Sequence, residues 1–127
     1  MLFFDKAYQK DNGGYIKENA YPPIDKDRSM FVVKDEESDF LKSIGINGTI
    51  IHTPGHTHDD LSVVLADGTT FSGDITNNFF KSPYPPIIEN EELVYKSWNR
   101  LISKGAKMLY PSHGKPFGIE KLQEVLT

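Results

Sequence analysis

The stretch Gly48-Thr49-Ile50-Ile51-His52-Thr53-Pro54-Gly55-His56-Thr57 decides how this chain is read. Its first five residues, centred on two isoleucines and a threonine, predict a strand. Pro54-Gly55 then forces a tight turn, because proline presets one φ and glycine accepts conformations that other residues avoid. A histidine one residue beyond such a turn is held on rigid backbone at the mouth of a sheet, where a metal ligand has to stand.

Working towards the C-terminus, Leu61-Ser62-Val63-Val64-Leu65 and Thr69-Thr70-Phe71-Ser72 read as two more strands. Ala66-Asp67-Gly68 joins them as a hairpin, since Asp-Gly supplies the positive φ that such turns need. The second of these strands ends in Gly73-Asp74, which puts a carboxylate at its tip. Residues 76–89 are an aromatic and proline-rich loop. Over Glu91–Lys104 a helical stripe of Leu93, Val94, Trp98, Leu101 and Ile102 follows, closed by Gly105. Lys107-Met108-Leu109-Tyr110 reads as a last strand running into Pro111-Ser112-His113-Gly114, and Ile119–Leu126 as a last helix with Leu122, Val125 and Leu126 on its apolar side. Towards the N-terminus, Met30–Lys34 reads as a strand and Asp35-Glu36-Glu37 as a solvated face or turn. Residues 1–29 are polar and irregular, with at most one short helix at the start; they form an extension apart from a domain over 30–127. The order of elements predicts an α+β fold with helices on one face of a mixed or antiparallel sheet.

Composition narrows the chemistry. The 127 residues suffice for one domain, and 38% apolar with 25% charged residues is ordinary for a globular protein. A net charge of −4 offers no attraction for nucleic acid or an anionic membrane surface. There is no cysteine, so any metal must sit on His, Asp, Glu or backbone oxygen. The opening Met1–Lys6 has no basic region before a long apolar run, and the expected compartment is the cytoplasm. All four histidines, His52, His56, His58 and His113, lie near predicted strand ends. With Asp74 they offer imidazole and carboxylate at three successive strand ends, a donor set suited to zinc, iron or manganese.

Thr-Pro-Gly-His-Thr after a strand, a hairpin ending in Gly-Asp, then helix, strand and Ser-His-Gly together resemble the C-terminal half of the metallo-β-lactamase superfamily, from about Met30 to the end. The resemblance implies half of an αββα sandwich. It implies His56 as a ligand of a first metal, Asp74 as the carboxylate bridging two metals and central to catalysis, and His113 as a ligand of the second. Zinc is the implied metal, possibly as a pair about 3.5–4 Å apart activating a water between them. Hydrolysis of a small-molecule ester, lactone, thioester, amide or phosphodiester would follow. The family's His-x-His-x-Asp-His motif has no counterpart before His52, because no histidine stands there. His56-Thr57-His58-Asp59-Asp60-Leu61 imitates it only in part, with Leu61 in the place of the last histidine. The expectation is therefore weak or absent metal in this chain alone. It would be inactive by itself and completed by a homodimer or by a chain supplying the missing half. The alternative is a metal-free fold fragment or assembly module.

Each residue also has a plainer reading. His52 ends a strand and suits a structural role or support of a ligand, while His58 is exposed or faces substrate. His56 and His113 could be ordinary loop histidines, and Asp74 could cap its loop. Phe79, Phe80 and Tyr84 could line a substrate pocket or simply pack in their loop.

Overall fold

The computed structural model describes residues 23, 25–32 and 37–127. Residues 25–32 belong to a different compact unit from the body that starts at residue 34. They contain one 3-10 turn, Lys26–Arg28, capped by the Asp25 side chain, which accepts from the Asp27 N–H at 3.0 Å. The strand expected from Met30 does not form over Met30–Val32: no other described strand pairs with these residues, and a strand exists only as part of a ladder. Val33, Lys34 and the short helix expected near the N-terminus lie outside the described residues.

The body is a five-stranded sheet in the order β1(Gly48–His52), β2(Leu61–Leu65), β3(Thr69–Gly73), β4(Met108–Pro111), β5(Phe117–Gly118). All pairs are antiparallel except β3 with β4, which run parallel. That parallel step requires a crossover, and α2(Glu91–Ser103) supplies it. The β2–β3 hairpin closes as its sequence dictates. Gly68 takes φ +92°, and Asp67 accepts from the Thr69 N–H at 2.8 Å, a bond that holds the Asp67 carboxyl below its ordinary range.

Helix α2 begins at Asn90, whose side chain accepts from the Leu93 N–H at 3.0 Å, with Glu91 and Glu92 complementing the positive end of the helix dipole. It ends where Gly105 adopts φ +88°. Its buried stripe is Val94, Ser97, Trp98 and Leu101; Leu93 and Ile102, expected on that stripe, sit half-buried at its edges. With α3(Glu120–Leu126) it encloses a core of Ile51, Val64, Ile75, Leu109, Phe117 and Leu122. A short helix, α1(Glu37–Ser43), buries Leu41 and approaches β1 through Ser38 Oγ and Thr49 Oγ1, 3.3 Å apart. It takes in Glu37, read as the end of a solvated face or turn, and continues over residues 38–43, where no element was expected. Two helical turns with so few apolar residues carry no readable periodicity, and tertiary contact decides them. The fold is α+β with a mixed sheet, as expected, with small boundary shifts at β4 and α3 and a two-residue β5 that no pattern announced.

Candidate metal centre

Three of the predicted site residues meet at one end of the sheet. Asp74 follows β3, where Gly73 takes φ +58° and the register with β4 shifts, turning the chain out of the sheet. His113 follows β4, the parallel neighbour, so both side chains leave the same edge. His56 follows β1 after the Pro54-Gly55 turn, where Gly55 adopts φ +148°. The Asp74 carboxylate stands between the two imidazoles: its Oδ1 is 3.4 Å from His113 Nε2 and its Oδ2 4.0 Å from His56 Nε2.

The ring of His56 is oriented by its other nitrogen. His56 Nδ1 lies 2.5 Å from the Ile87 carbonyl oxygen, and because a carbonyl can only accept, Nδ1 carries the proton. In the neutral ring Nε2 is then a bare lone pair aimed towards a carboxylate oxygen. Two acceptors facing each other across 4.0 Å suit a cation between them, and an Nδ1–H on a backbone carbonyl is the usual support of a metal-binding imidazole. By donor chemistry, then, His56, Asp74 and His113 fit a zinc or iron centre. They fit it as part of a ligand set. Among the described residues no group of three or more His, Asp or Glu side chains closes into a metal-holding cluster.

The backbone around each residue is closely tied. The His113 carbonyl accepts from Asn78 N at 3.1 Å, and Asn78 bridges to Gly114, whose φ of +96° and contact with the Asn78 backbone leave no room for a Cβ. The Asp74 loop and the His113 loop are thereby stitched together beyond the sheet. Thr53 and Ser62 share a 2.7 Å hydroxyl contact, and Ser72 and Thr76 another of 2.5 Å, all four residues buried beneath the site. The sequence shows Ser62 and Ser72 as strand residues, Thr53 in the turn before His56 and Thr76 in a loop; nothing in their spacing marks them as hydroxyl pairs.

The other candidates fall elsewhere. His52 Nε2 contacts the His58 carbonyl at 2.6 Å, and the His52 carbonyl accepts from Arg100 Nη1 at 3.1 Å, so this residue braces the loop. The exposed His58 lies 3.7 Å from Glu89 Oε2. Asp59 and Asp60 are engaged by Thr57: its hydroxyl reaches Asp60 Oδ1 at 2.7 Å and Asp59 Oδ1 at 2.9 Å, and its N–H reaches Asp60 Oδ2 at 2.9 Å. That hydroxyl holds the Asp59 carboxyl below its ordinary range. The partial His-x-His-x-Asp imitation is therefore a self-braced turn. Phe79 and Phe80 are exposed, edge to face at 4.8 Å, and directly follow Asn78. Tyr84 instead packs inwards on Tyr95 and Trp98.

No protein-family model matches the chain. Among solved structures it is similar to an archaeal metallo-β-lactamase superfamily protein from Sulfolobus tokodaii, with 25% identity and a TM-score of 0.64 over 96% of this chain and 48% of that one. A metallo-β-lactamase family protein from Thermus thermophilus shares the fold at 18% identity and a TM-score of 0.61, over 98% of this chain and 46% of its own. In sequence, a β-lactamase-like protein 2 homolog of Drosophila melanogaster is 30% identical over 70 residues, 55% of this chain and 23% of that protein. The chain thus spans about half the length of these structural relatives and less of the fly protein.

Proposed function

We propose, from the metallo-β-lactamase fold that this chain spans in part, that it contributes His56, Asp74 and His113 to the centre of a metal-dependent hydrolase. The observation that carries this reading is the Asp74 carboxylate set between two imidazole Nε2 atoms, with His56 fixed in the tautomer that leaves Nε2 free to ligate. Zinc is the metal that two imidazoles and a carboxylate suit best without redox chemistry. When bound, it supplies the Lewis acidity that activates a water against an ester, lactone, thioester, amide or phosphodiester. Asp74 presents one oxygen towards each imidazole, as a carboxylate shared by two metals would. Gly73 brings it out at the strand end, and Asn78 fixes His113 relative to it. Phe79 and Phe80 provide an exposed apolar rim beside His113 for the non-reacting part of a small-molecule substrate.

The remaining ligands come from residues carrying the His-x-His-x-Asp-His motif. Ile50, Val63, Phe71 and Tyr110 form one row across the sheet face turned away from the helices, and Phe71 and Tyr110 are exposed. This row is the seat of a second sheet, supplied by those residues or by a second copy of the chain.

Elemental analysis and hydrolysis assays test the reading. The chain alone is expected to hold less than one zinc per molecule and to leave generic ester and lactam substrates at the buffer rate. Adding a polypeptide that carries the missing motif should bring activity, and His56→Ala or Asp74→Ala should remove it. Two tightly held metals in the chain alone, or turnover that survives both substitutions, would overturn the assignment. The exposed apolar row of Phe71 and Tyr110 favours a second reading, an assembly module. Zinc absent even from the complemented assembly would establish that reading instead.

A further inference from the structure

Helix α2 grips the two turns that carry His56 and Asp74 through neighbouring residues. Ser97, 2% exposed, donates its hydroxyl to the Pro54 carbonyl at 2.6 Å. Trp98, fully buried, donates its indole N–H to the Ile75 carbonyl at 2.8 Å. Those carbonyls stand two residues before His56 and one residue after Asp74. One turn earlier, Val94 packs so close to Gly55 that a Cβ there would come within 2.7 Å of it. The Gly55 carbonyl in turn accepts from Glu89 N at 2.9 Å and Asn90 N at 3.1 Å, where the helix begins. Helix propensity does not explain a serine in the buried stripe, because its hydroxyl competes with the helical backbone. Capture of a loop carbonyl does explain it.

We infer that α2 sets the spacing between His56 and Asp74, with Ser97 and Trp98 as the positioning residues, one for each turn. A helix is rigid over one residue step, so two loops that share no strand pairing with each other are held in one frame. The consequence for metal rests on the reading of His56 and Asp74 given above; the division of labour between the two residues does not.

The test uses the full chain, its amide NMR spectrum, and zinc titration followed in that spectrum, which registers weak binding. Ser97→Ala should move the amides of residues 55–57 and leave those of 74–76 in place, while Trp98→Phe should do the reverse. Each should weaken zinc binding about tenfold, the lower end of what losing a ligand's support costs, and Ser97→Thr, which keeps the hydroxyl, should restore it. Leu101→Ala removes core volume from the same helix with both carbonyl bonds intact. It should lower the melting temperature yet leave zinc affinity within about twofold, as for a site it does not touch. Equal weakening by Leu101→Ala, or variants that disturb both turns alike or neither, would overturn the inference. If Trp98→Phe does not fold, the Ser97 pair decides alone. If the unmodified chain binds no zinc by itself, as half a ligand set allows, the turn-specific amide shifts alone decide the positioning roles; if His56→Ala binds zinc as well as the unmodified chain, the metal reading falls and the same shifts still decide those roles.

Discussion

Across the sheet, Thr49, Val64, Thr70, Leu109 and Phe117 form one register row, and Ile50, Val63, Phe71 and Tyr110 form the next, pointing to the opposite face. In the first row Leu109 is fully buried and Val64 is 4% exposed under α2 and α3. In the second, Phe71 is 50% and Tyr110 41% exposed, their rings 5.7 Å apart. Leu61 and Met108 flank them, also exposed. Both rows are rich in apolar or β-branched residues, so hydrophobicity alone does not decide which side is covered. What differs, among the described residues, is the presence of helices. This face is where the second sheet proposed above would sit.

The comparison breaks most easily at Leu109. Leu109→Ala should cost about 2–5 kcal/mol of unfolding free energy, because a helix-covered site cannot collapse around the lost volume. Chemical denaturation with an unchanged slope would check it. A loss below the lower figure would mean that the covered face is looser than its burial implies. Next in size is Ser62→Ala, which strands the buried Thr53 hydroxyl and should cost about 1–3 kcal/mol. Ser62→Ala combined with Thr53→Val should recover part of that loss. On the open face, Phe71→Ala should change the stability of the isolated chain by no more than about 0.5 kcal/mol, as surface sites do. Its effect should appear in assembly: Phe71→Arg with Tyr110→Arg should abolish any concentration-dependent growth in mass seen by light scattering. A chain monodisperse and monomeric at high concentration before substitution would mean that this face does not pair with a second copy.

Smallest at neutral pH, because it is confined to alkaline solution, is a pH dependence. Burial, and next the Glu91 carboxylate, push the Tyr84 hydroxyl up from 10.0 to about 12. The folded chain then holds this proton more tightly than the unfolded one, so the contribution is complete below pH 10 and lost as pH rises towards 12. Tyr84→Phe should flatten that part of the alkaline melting curve. A Tyr84 signal that titrates at the ordinary value would place its ring nearer to solvent than its contacts with Trp98 and Tyr95 indicate.

Much of this is legible in the residues. The strands at 48–52, 61–65 and 69–72 follow from alternation and turn chemistry, and α2 from its stripe and its cap. His56, Asp74 and His113 stand out because each follows a strand end with glycine beside it, and Asp74 does lie within 4.0 Å of both imidazoles. What the residues do not announce depends on partners distant in sequence. Helix α1 exists by docking on β1, and β5 by pairing with two residues of β4. Trp98 reads as a stripe position of α2 and nothing in the sequence singles out Ser97, while their hydrogen bonds to Ile75 and Pro54 depend on how the crossover lands. Met30–Val32 errs the other way, since a β-forming composition with no partner strand among the described residues yields no ladder.

The parallel pairing of β3 with β4 also carries a consequence for the order in which the molecule assembles. β1, β2 and β3 are joined by short connections and can zip up locally, at little cost in loop closure. His113 reaches Asp74 only after the long aromatic loop and the whole of α2 have been threaded back to lay β4 beside β3. The imidazole and carboxylate pair is thus expected late in folding, formed when the crossover closes. In hydrogen exchange the amides of the β1–β2 ladder should gain protection before those of β4, and a folding intermediate caught between these stages would own His56 and Asp74 but not yet the pair that joins Asp74 to His113.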